Sequence, residues 1–427
     1  MSILFLKKLE DWLFYIFLFA IPISIRHIFG YEPFDFTEWT AVYVYVTDLL
    51  VLTLFGFWIC SKPKIQIKKA DWFLISFVIV AGLSITNAKD VQTSIFQWLK
   101  LLEGFALYFY VKDYALKRFT LAHAFEVIVL TGAFQSVIAI IQFIKQGSLG
   151  LSYLGESVLA PGMTGIAAFY VEGIKIMRAY GTLPHSNVLA IYLFIALGAF
   201  YSIAIYQKRR WWWHVLHVLI LWAFLLTFSR TIIGLWFIAF IIHLLFIRFY
   251  RPFHKEFWQD SEMRKRSLKI FWTTVTVGAI FVSMYGSYVV NRSSISTSDE
   301  AVQLRILYNQ ESLKSVQNWL GLGIGNFVPW LQNQDLHLNR NLYQPVHNVY
   351  LLIYSEVGVG LALFIIFLAI LLYDFYNRLG FRKLYHFSLG LVVMAILVVG
   401  LFDHFLWTIQ SGRIVFWLAL CLLAGAG

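Results

Sequence analysis

Continuous apolar runs recur along this chain, most of them close to 20 residues long and separated by polar connections. A helix rises about 1.5 Å per residue, so such a run is long enough to cross the hydrocarbon core of a bilayer. Lipid cannot hydrogen-bond open backbone groups, so only helices and closed barrels cross a bilayer. Continuous apolar runs favour helices, since the strands of a barrel alternate between apolar and polar residues. Twelve runs lie at residues 11–29, 41–60, 71–86, 93–111, 121–144, 187–206, 211–229, 231–249, 270–290, 348–373, 385–402 and 411–426.

Composition supports this pattern. The chain has 427 residues, of which 60% are hydrophobic and 13% are charged. Soluble domains are closer to half apolar and a quarter charged. The first run follows Lys7 and Lys8, but no small-residue cleavage site comes after it, so it is interpreted as a helix and not as a signal peptide. We therefore predict an all-α fold: one polytopic transmembrane bundle of about twelve spans over residues 1–427.

The distribution of basic residues predicts the orientation of the bundle. Most of the 34 Lys and Arg residues fall in alternate connections, and connections rich in these residues face the cytoplasm. Both termini are then cytoplasmic, and the two longest connections, residues 145–186 and 291–347, face outward. The formal net charge of +11 is explained by this orientation signal, so no nucleic-acid partner is expected. The basic segments are Lys7–Lys8, 62–69, 112–118, 208–210, 248–269 and 378–383.

The second outward connection, between spans nine and ten, contains an amphipathic pattern. Thr297 and Glu300 have the spacing of a capping box, and Gly321 provides a stop. We predict a helix over about 299–319 that lies on the outer membrane surface, with Arg305 beside its apolar stripe. The stripe is formed by Val302, Ile306, Leu313, Val316 and Leu320.

The candidate chemistry on the outward side is basic. Arginine binds phosphate through two parallel hydrogen bonds and stays charged, and an imidazole can accept a proton near neutral pH. These properties predict a site for a lipid-linked diphosphate, with a histidine that deprotonates a sugar hydroxyl. The residues that fall at, or can fold back onto, outer helix ends are Arg178, His185, Arg230, Arg305 and His347.

Each of these residues also has a simpler interpretation. Arg230 fits an interfacial arginine at the tip of an apolar hairpin, and Arg178 an ordinary loop charge. Arg305 is also consistent with a charge on a solvated helix face, and His185 with a helix cap. His347 is also consistent with a residue that only lies at the membrane interface. Within the predicted spans, Lys100 and Glu103 are three residues apart and are interpreted as an ion pair, and Glu356 as a buried packing partner.

Several site classes are absent from the sequence. There is no Walker loop, and "GLGIGNF" (321–327) follows a predicted helix rather than a strand, so it does not fit a dinucleotide fingerprint. Histidines and cysteines do not occur with zinc-binding spacing. We therefore expect neither a metal nor another cofactor.

Four segments in order resemble the superfamily of O-antigen ligases and O-antigen polymerases, which are bacterial membrane glycosyltransferases. The ligase-like region extends over 187–417, whereas the first 145 residues match only as apolar helices. The segments are "RAYGTLPHSNVLA" (178–190), "TFSRTIIGLW" (227–236), "LRILYNQESLKSVQNWLGLGIGNF" (304–327) and "PVHNVYLLIYSEVGVGLAL" (345–363), and "LFDHFLWTIQSGRIVFW" (401–417) resembles a tail segment of some members.

The resemblance implies a multi-pass protein of the bacterial inner membrane whose active site faces the periplasm. It implies transfer of a glycan from undecaprenyl diphosphate to an acceptor hydroxyl, with inversion and without metal or nucleotide. His347 matches the essential histidine, and Arg230 and Arg305 match the essential arginines that face the diphosphate.

The remaining site residues are expected to bind substrate. Arg178 fits the arginine before a Pro-His-Asn-like stretch, which here contains His185. Asn348 either orients the acceptor or caps the tenth helix.

Alternatives remain open. Within the superfamily, the acceptor is a lipid A–core oligosaccharide for a ligase, a growing glycan for a polymerase, or a protein hydroxyl; the ligase is favoured. A transporter or lipid flippase is the alternative from another class, although such proteins place their sites near the midplane between repeats, and no repeat is apparent. A receptor that only binds an anionic lipid is a further alternative.

Overall fold

A computed structural model of the chain describes residues 3–29, 37–293, 300–316, 318–334, 336–379 and 384–425. The described residues are mostly helical, with two short antiparallel hairpins. The chain divides into two compact units. The first unit contains residues 1–25, 119–295 and 379–396, and the second contains 26–118, 296–378 and 397–427.

The helices are, in chain order, α1 Ile3–Ala20, α2 Val46–Cys60, α3 Lys69–Ser84, α4 Val91–Tyr110, α5 Leu116–Arg118, α6 Leu121–Lys145, α7 Ser186–Tyr206, α8 Trp211–Leu226, α9 Arg230–Phe249, α10 Arg251–Gln259, α11 Ser261–Ser293, α12 Glu300–Ser315, α13 Phe327–Gln332, α14 Val349–Val357, α15 Gly360–Leu379, α16 Leu384–Val399, α17 Phe405–Thr408 and α18 Gln410–Gly425. Strand β1 Arg26–Phe29 pairs with β2 Val42–Tyr45, and β3 Ala168–Val171 pairs with β4 Ile174–Met177.

The helical class of the prediction is confirmed, and the number of spans is supported only in part. Six helices in the described residues are long and apolar enough to cross a membrane, which indicates a membrane protein. They are Lys69–Asn87, Leu121–Lys145, Ser186–Tyr206, Arg230–Phe249, Ser261–Arg292 and Gly360–Asn377. Four shorter apolar helices accompany them: Val46–Cys60, Trp211–Leu226, Phe387–Val399 and Gln410–Gly425.

Two predicted spans have different bounds in the structure. The run at 11–29 ends as a helix at Ala20, and its last residues form strand β1. The run at 348–373 is divided into α14 and α15 at Gly358, which has φ +57°. A Cβ at Gly358 would lie 2.1 Å from the carbonyl oxygen of Trp319, so the close approach of the loop after α12 requires glycine here.

In the first unit, α6 packs against α1, α7 and α8 and anchors the loop that leads into α7. Gln142 on α6 donates to the carbonyl of Gly181 at 2.9 Å and accepts from its N–H at 2.8 Å. Gln135 accepts from the N–H of Thr182 at 2.9 Å. Buried polar backbone must be hydrogen-bonded, and these two glutamines satisfy it at the loop.

In the second unit, α4 packs against α3 and α18, and α12 packs against α14. Gly104 of α4 allows close contact, because a Cβ there would lie 2.0 Å from Nε1 of Trp417. Helix α12 is shorter than the predicted 299–319, and its capping residue Thr297 lies outside the described residues.

The face of α12 that packs in the second unit is not the predicted apolar stripe. Tyr308 and Ser312 are buried, whereas Ile306 and Leu313 are 49% and 60% exposed. Tyr308 donates its hydroxyl to the Leu342 carbonyl. Helix α12 packs against α14, and Arg305 is exposed on α12. The location of this helix on the outer membrane surface remains a prediction.

Candidate functional site

The second unit brings His347, Asp403 and His404 together. One side-chain oxygen or ring nitrogen from each residue lies within 4.8 Å of the others. The rings of His347 and His404 meet edge to face, with centroids 4.8 Å apart. The ring of Tyr308 is nearly parallel to that of His347, with centroids 6.0 Å apart. Imidazole, carboxylate and phenol therefore form one cluster.

Local structure explains how His347 is held. It directly precedes Asn348, which caps α14 by accepting hydrogen bonds from the N–H groups of Tyr350 and Leu351 at 2.9 and 3.1 Å. The capping interpretation of Asn348 is thus confirmed. The N–H of Val349 donates to the Gly400 carbonyl at 2.7 Å and joins this turn to the end of α16.

The turn after α16 supplies the other two members of the cluster. The Asp403 carboxylate accepts the N–H of His404 at 2.9 Å. His404 Nδ1 lies 2.7 Å from the Thr408 hydroxyl, and the ring contacts Trp39 edge-on at 5.0 Å between centroids. Both Asp403 and His404 are buried, so this turn is a fixed part of the second unit.

The groups around His347 favour its neutral imidazole, which is the form that can act as a base. Burial lowers the pKa of the imidazole, the Asp403 carboxylate raises it, the Arg305 guanidinium lowers it, and the Pro345 carbonyl raises it. The net result is a pKa below the ordinary value of histidine. A pKa in that direction leaves the ring neutral near pH 7, and a neutral imidazole can accept a proton.

Arg305, the next predicted catalytic residue, belongs to the same unit and acts on the cluster through its charge. It is exposed on α12, and its charge acts on His347. Ser312, about two turns further along α12, donates to the Leu351 carbonyl at 3.0 Å and fixes the helix beside α14. An exposed guanidinium can bind an anionic group of a substrate. The imidazole can then accept a proton from a group next to that anion.

The other three predicted residues lie in the first unit. Arg178 is only 4% exposed; it donates to the Thr227 carbonyl and, at 2.6 Å, to the Asn187 side chain. The same Asn187 oxygen accepts from the Ser229 hydroxyl at 3.1 Å. The segment of Arg178 and the start of α9 thus meet at one amide.

His185 and Arg230 occupy helix starts in that unit. His185 caps α7, where its Nδ1 accepts the N–H of Asn187 at 3.0 Å. Arg230 is the first residue of α9, is partly exposed, and donates to the Arg292 carbonyl at 3.2 Å. The substrate-binding role of His185 and the catalytic role of Arg230 remain predictions.

Asp403 and His404 are the candidate residues that the sequence did not indicate. Their segment, 401–417, was singled out only for its resemblance, with no role for either residue. The signal in the sequence is an acidic residue and a histidine directly after the apolar run 385–402, just as His347 lies directly before the run 348–373. Asp403 is separated from His347 by 55 residues, so only folding brings them together.

A polar network lies beside this cluster in the second unit. Lys100 contacts Asp48 and lies 3.2 Å from Glu103, which confirms the predicted ion pair and adds Asp48 to it. Gln410 donates to both carboxylates. The network borders a cavity of about 60 Å³, enough for a few waters, whose wall includes Trp39 and Thr408. Glu356 is buried and accepts the N–H of Phe327 at 3.3 Å, as a packing residue would.

The cluster also has the composition of a metal site. Two imidazoles and a carboxylate form a ligand set used for zinc and for iron. His347, Asp403 and His404 are such a set, close enough together among the described residues. Because His404 Nδ1 already contacts Thr408, its Nε2 would have to be the ligand atom. A test of this site therefore includes a metal chelator.

Comparison with known proteins finds no matching family model and no matching curated protein.

Proposed function

We propose that the protein is a membrane glycosyltransferase of the O-antigen ligase and polymerase type. It would transfer a glycan from undecaprenyl diphosphate to an acceptor hydroxyl at the periplasmic face of the bacterial inner membrane. One observation supports this most strongly: the His347 ring forms a cluster with the Asp403 carboxylate and His404, with side-chain atoms within 4.8 Å of one another, and the charge of Arg305 acts on the same ring. A base and a phosphate-binding cation are the two groups that the reaction needs.

In the proposed mechanism, the acceptor oxygen attacks the anomeric carbon while His347 takes its proton. The bond between that carbon and the diphosphate oxygen breaks, and the configuration inverts. The Asp403 carboxylate stabilises the imidazolium that forms. Arg305 stabilises the negative charge on the departing diphosphate, a role that the resemblance also implies for Arg230. General-base help of this kind is typically worth about 10²–10⁴-fold in rate.

The favoured acceptor is a lipid A–core oligosaccharide, with a growing glycan as the alternative within the same superfamily. Both acceptors offer a sugar hydroxyl, so His347 has the same task in each. No cofactor is required by this mechanism, because the proton and the phosphate charge are both handled by side chains.

The test is reconstitution of the full chain in liposomes with a labelled undecaprenyl-diphosphate glycan. A lipid core, a second glycan and a protein are offered in turn as acceptors, each with and without EDTA. We expect transfer in EDTA, a loss of about 10²–10⁴-fold with His347→Ala, and a large defect with Arg230→Ala. Lys265→Ala is the matched surface control, since Lys265 makes an exposed ion pair with Glu262 at 2.8 Å.

The outcomes separate the alternatives. Full activity of His347→Ala would overturn the base assignment. Activity that EDTA abolishes and zinc restores would replace the metal-free mechanism by one in which the cluster holds an ion. Movement of the labelled lipid without a new covalent product, unaffected by His347→Ala, would favour a transporter or flippase.

A further inference from the structure

The first unit contains an apolar cavity that the proposed reaction does not use. Its volume is about 330 Å³. It lies among the later parts of α7 and α9, residue 257 of α10, the first turns of α11 and residues 388–392 of α16. Polar side chains on its wall include Ser267, His243 and Ser388, and the apolar wall includes Phe194, Trp236, Phe240, Leu244, Ile247 and Phe271.

Two arginines lie next to this wall. Arg266 donates from Nε to the carbonyl of Ile205 at 2.8 Å, and both Ile205 and Ser267 line the cavity. Its terminal nitrogens make no hydrogen bond to any residue that the structure describes. Arg264 lies over the ring of Trp258 at 5.1 Å, next in sequence to the lining residue Phe257. Both arginines are partly exposed, and Arg266 also acts electrostatically on the exposed carboxylate of Glu262.

Helix α10 has the form of an interfacial helix. Phe253 and Phe257 are buried, whereas Trp258 is 52% exposed. A short amphipathic helix with tryptophan and basic residues is typical of the level of the lipid headgroups. With α10 at the level of the headgroups, the arginines at the start of α11 would lie at headgroup depth and the cavity at acyl-chain depth. The connections at 208–210 and 248–269, which are basic and predicted to be cytoplasmic, bound the same region.

We propose that this cavity binds one anionic glycerophospholipid, with an acyl chain inside and the phosphate on Arg264 and Arg266. A chain of CH₂ groups in this cavity gains dispersion contacts with its apolar wall. Arginine matches phosphate geometry through paired donors, and basic pockets at cytoplasmic helix ends recognise anionic headgroups. A lipid that only fills the annulus would show no preference for headgroup charge, so charge selectivity distinguishes the two cases.

The experiment is native mass spectrometry of the delipidated full chain, titrated with phosphatidylglycerol or with phosphatidylcholine of the same acyl chains. We expect one retained phosphatidylglycerol, with a preference on the order of tenfold over phosphatidylcholine. The double variant Arg264→Gln/Arg266→Gln should lose the preference. Lys265→Gln should keep it, because Lys265 is in the same turn but is 71% exposed and already paired with Glu262.

A second variant tests the acyl part. Ala239 lines the cavity, so Ala239→Trp should fill it and weaken retention of both lipids. The arginine variants lie at the edge of the cavity and test the proposal even if Ala239→Trp does not fold. Equal retention of the two lipids, an unchanged preference in the arginine variant, or a stronger preference for undecaprenyl phosphate than for phosphatidylglycerol would each overturn the proposal. None of these outcomes depends on glycan transfer.

Discussion

Asp71 and Lys112 form a buried ion pair in the second unit, and removing one partner tests what stabilises that unit. Their side chains are 0% and 1% exposed, respectively. Asp71 also accepts hydrogen bonds from the Tyr108 hydroxyl and from the N–H of Lys68, both at 2.7 Å. Lys112 additionally donates to the Gln66 carbonyl at 2.9 Å. Asp71→Ala would leave the Tyr108 phenol without this acceptor and the Lys112 ammonium with only the Gln66 carbonyl close by.

Removing one partner of a buried ion pair typically costs about 3–5 kcal/mol. Lys112 has a second, weaker partner, because Asp113 lies 3.7 Å from its ammonium group. We therefore expect the lower end for Asp71→Ala, about 3 kcal/mol, or roughly 150-fold in the folding equilibrium. The double variant Asp71→Ala/Lys112→Met removes both charges, so it should be more stable than Asp71→Ala alone.

The assay is equilibrium unfolding of the purified chain in detergent, by heat and by denaturant. Lys265→Ala is the control, and its loss of an exposed ion pair should change stability by less than about 0.5 kcal/mol. If Asp71→Ala were as stable as the control, the pair would contribute nothing net. If the double variant were less stable than Asp71→Ala, the reasoning about the uncompensated charge would be wrong.

Three further predictions follow from the site and the fold. Burial and Arg305 lower the pKa of His347, so transfer should persist at pH values below the ordinary pKa of histidine. Arg305→Gln removes one of these causes and should move the acidic limit of the pH–rate profile to higher pH. An unmoved limit would contradict an electrostatic effect of Arg305 on His347. Gly358→Ala should lower the stability of the folded chain by roughly 1–3 kcal/mol because of backbone strain. Gly56→Ala should leave the stability unchanged, because there is open space around a Cβ at that position. Thermal unfolding measures both effects. Arg178→Gln should destabilise by about 1–3 kcal/mol, because the Thr227 carbonyl and the Asn187 side chain lose a buried charged donor and each keeps a serine hydroxyl; normal stability with lost transfer would instead support a substrate-binding role.

Local sequence was sufficient for several elements. Apolar runs predicted most helices, because a continuous run of that length has few stable alternatives in lipid. The cap at Asn348 and the pair Lys100–Glu103 involve residues within three positions of each other, and both were found as expected. Helix α12 was predicted from its periodicity, but the face it buries was not, since periodicity does not show which neighbour a helix packs against.

The contacts that define the candidate site required the folded chain. Asp403 acts on His347 across 55 intervening residues, and Asp71 pairs with Lys112 across 40. Such pairings depend on which helix ends approach each other, and hydropathy carries no information on that. The chain by itself thus specified helices, their caps and the candidate chemical groups. Only the tertiary structure decided which groups surround His347. Its pKa depends on burial and on the charges of Asp403 and Arg305, which belong to distant segments of the chain.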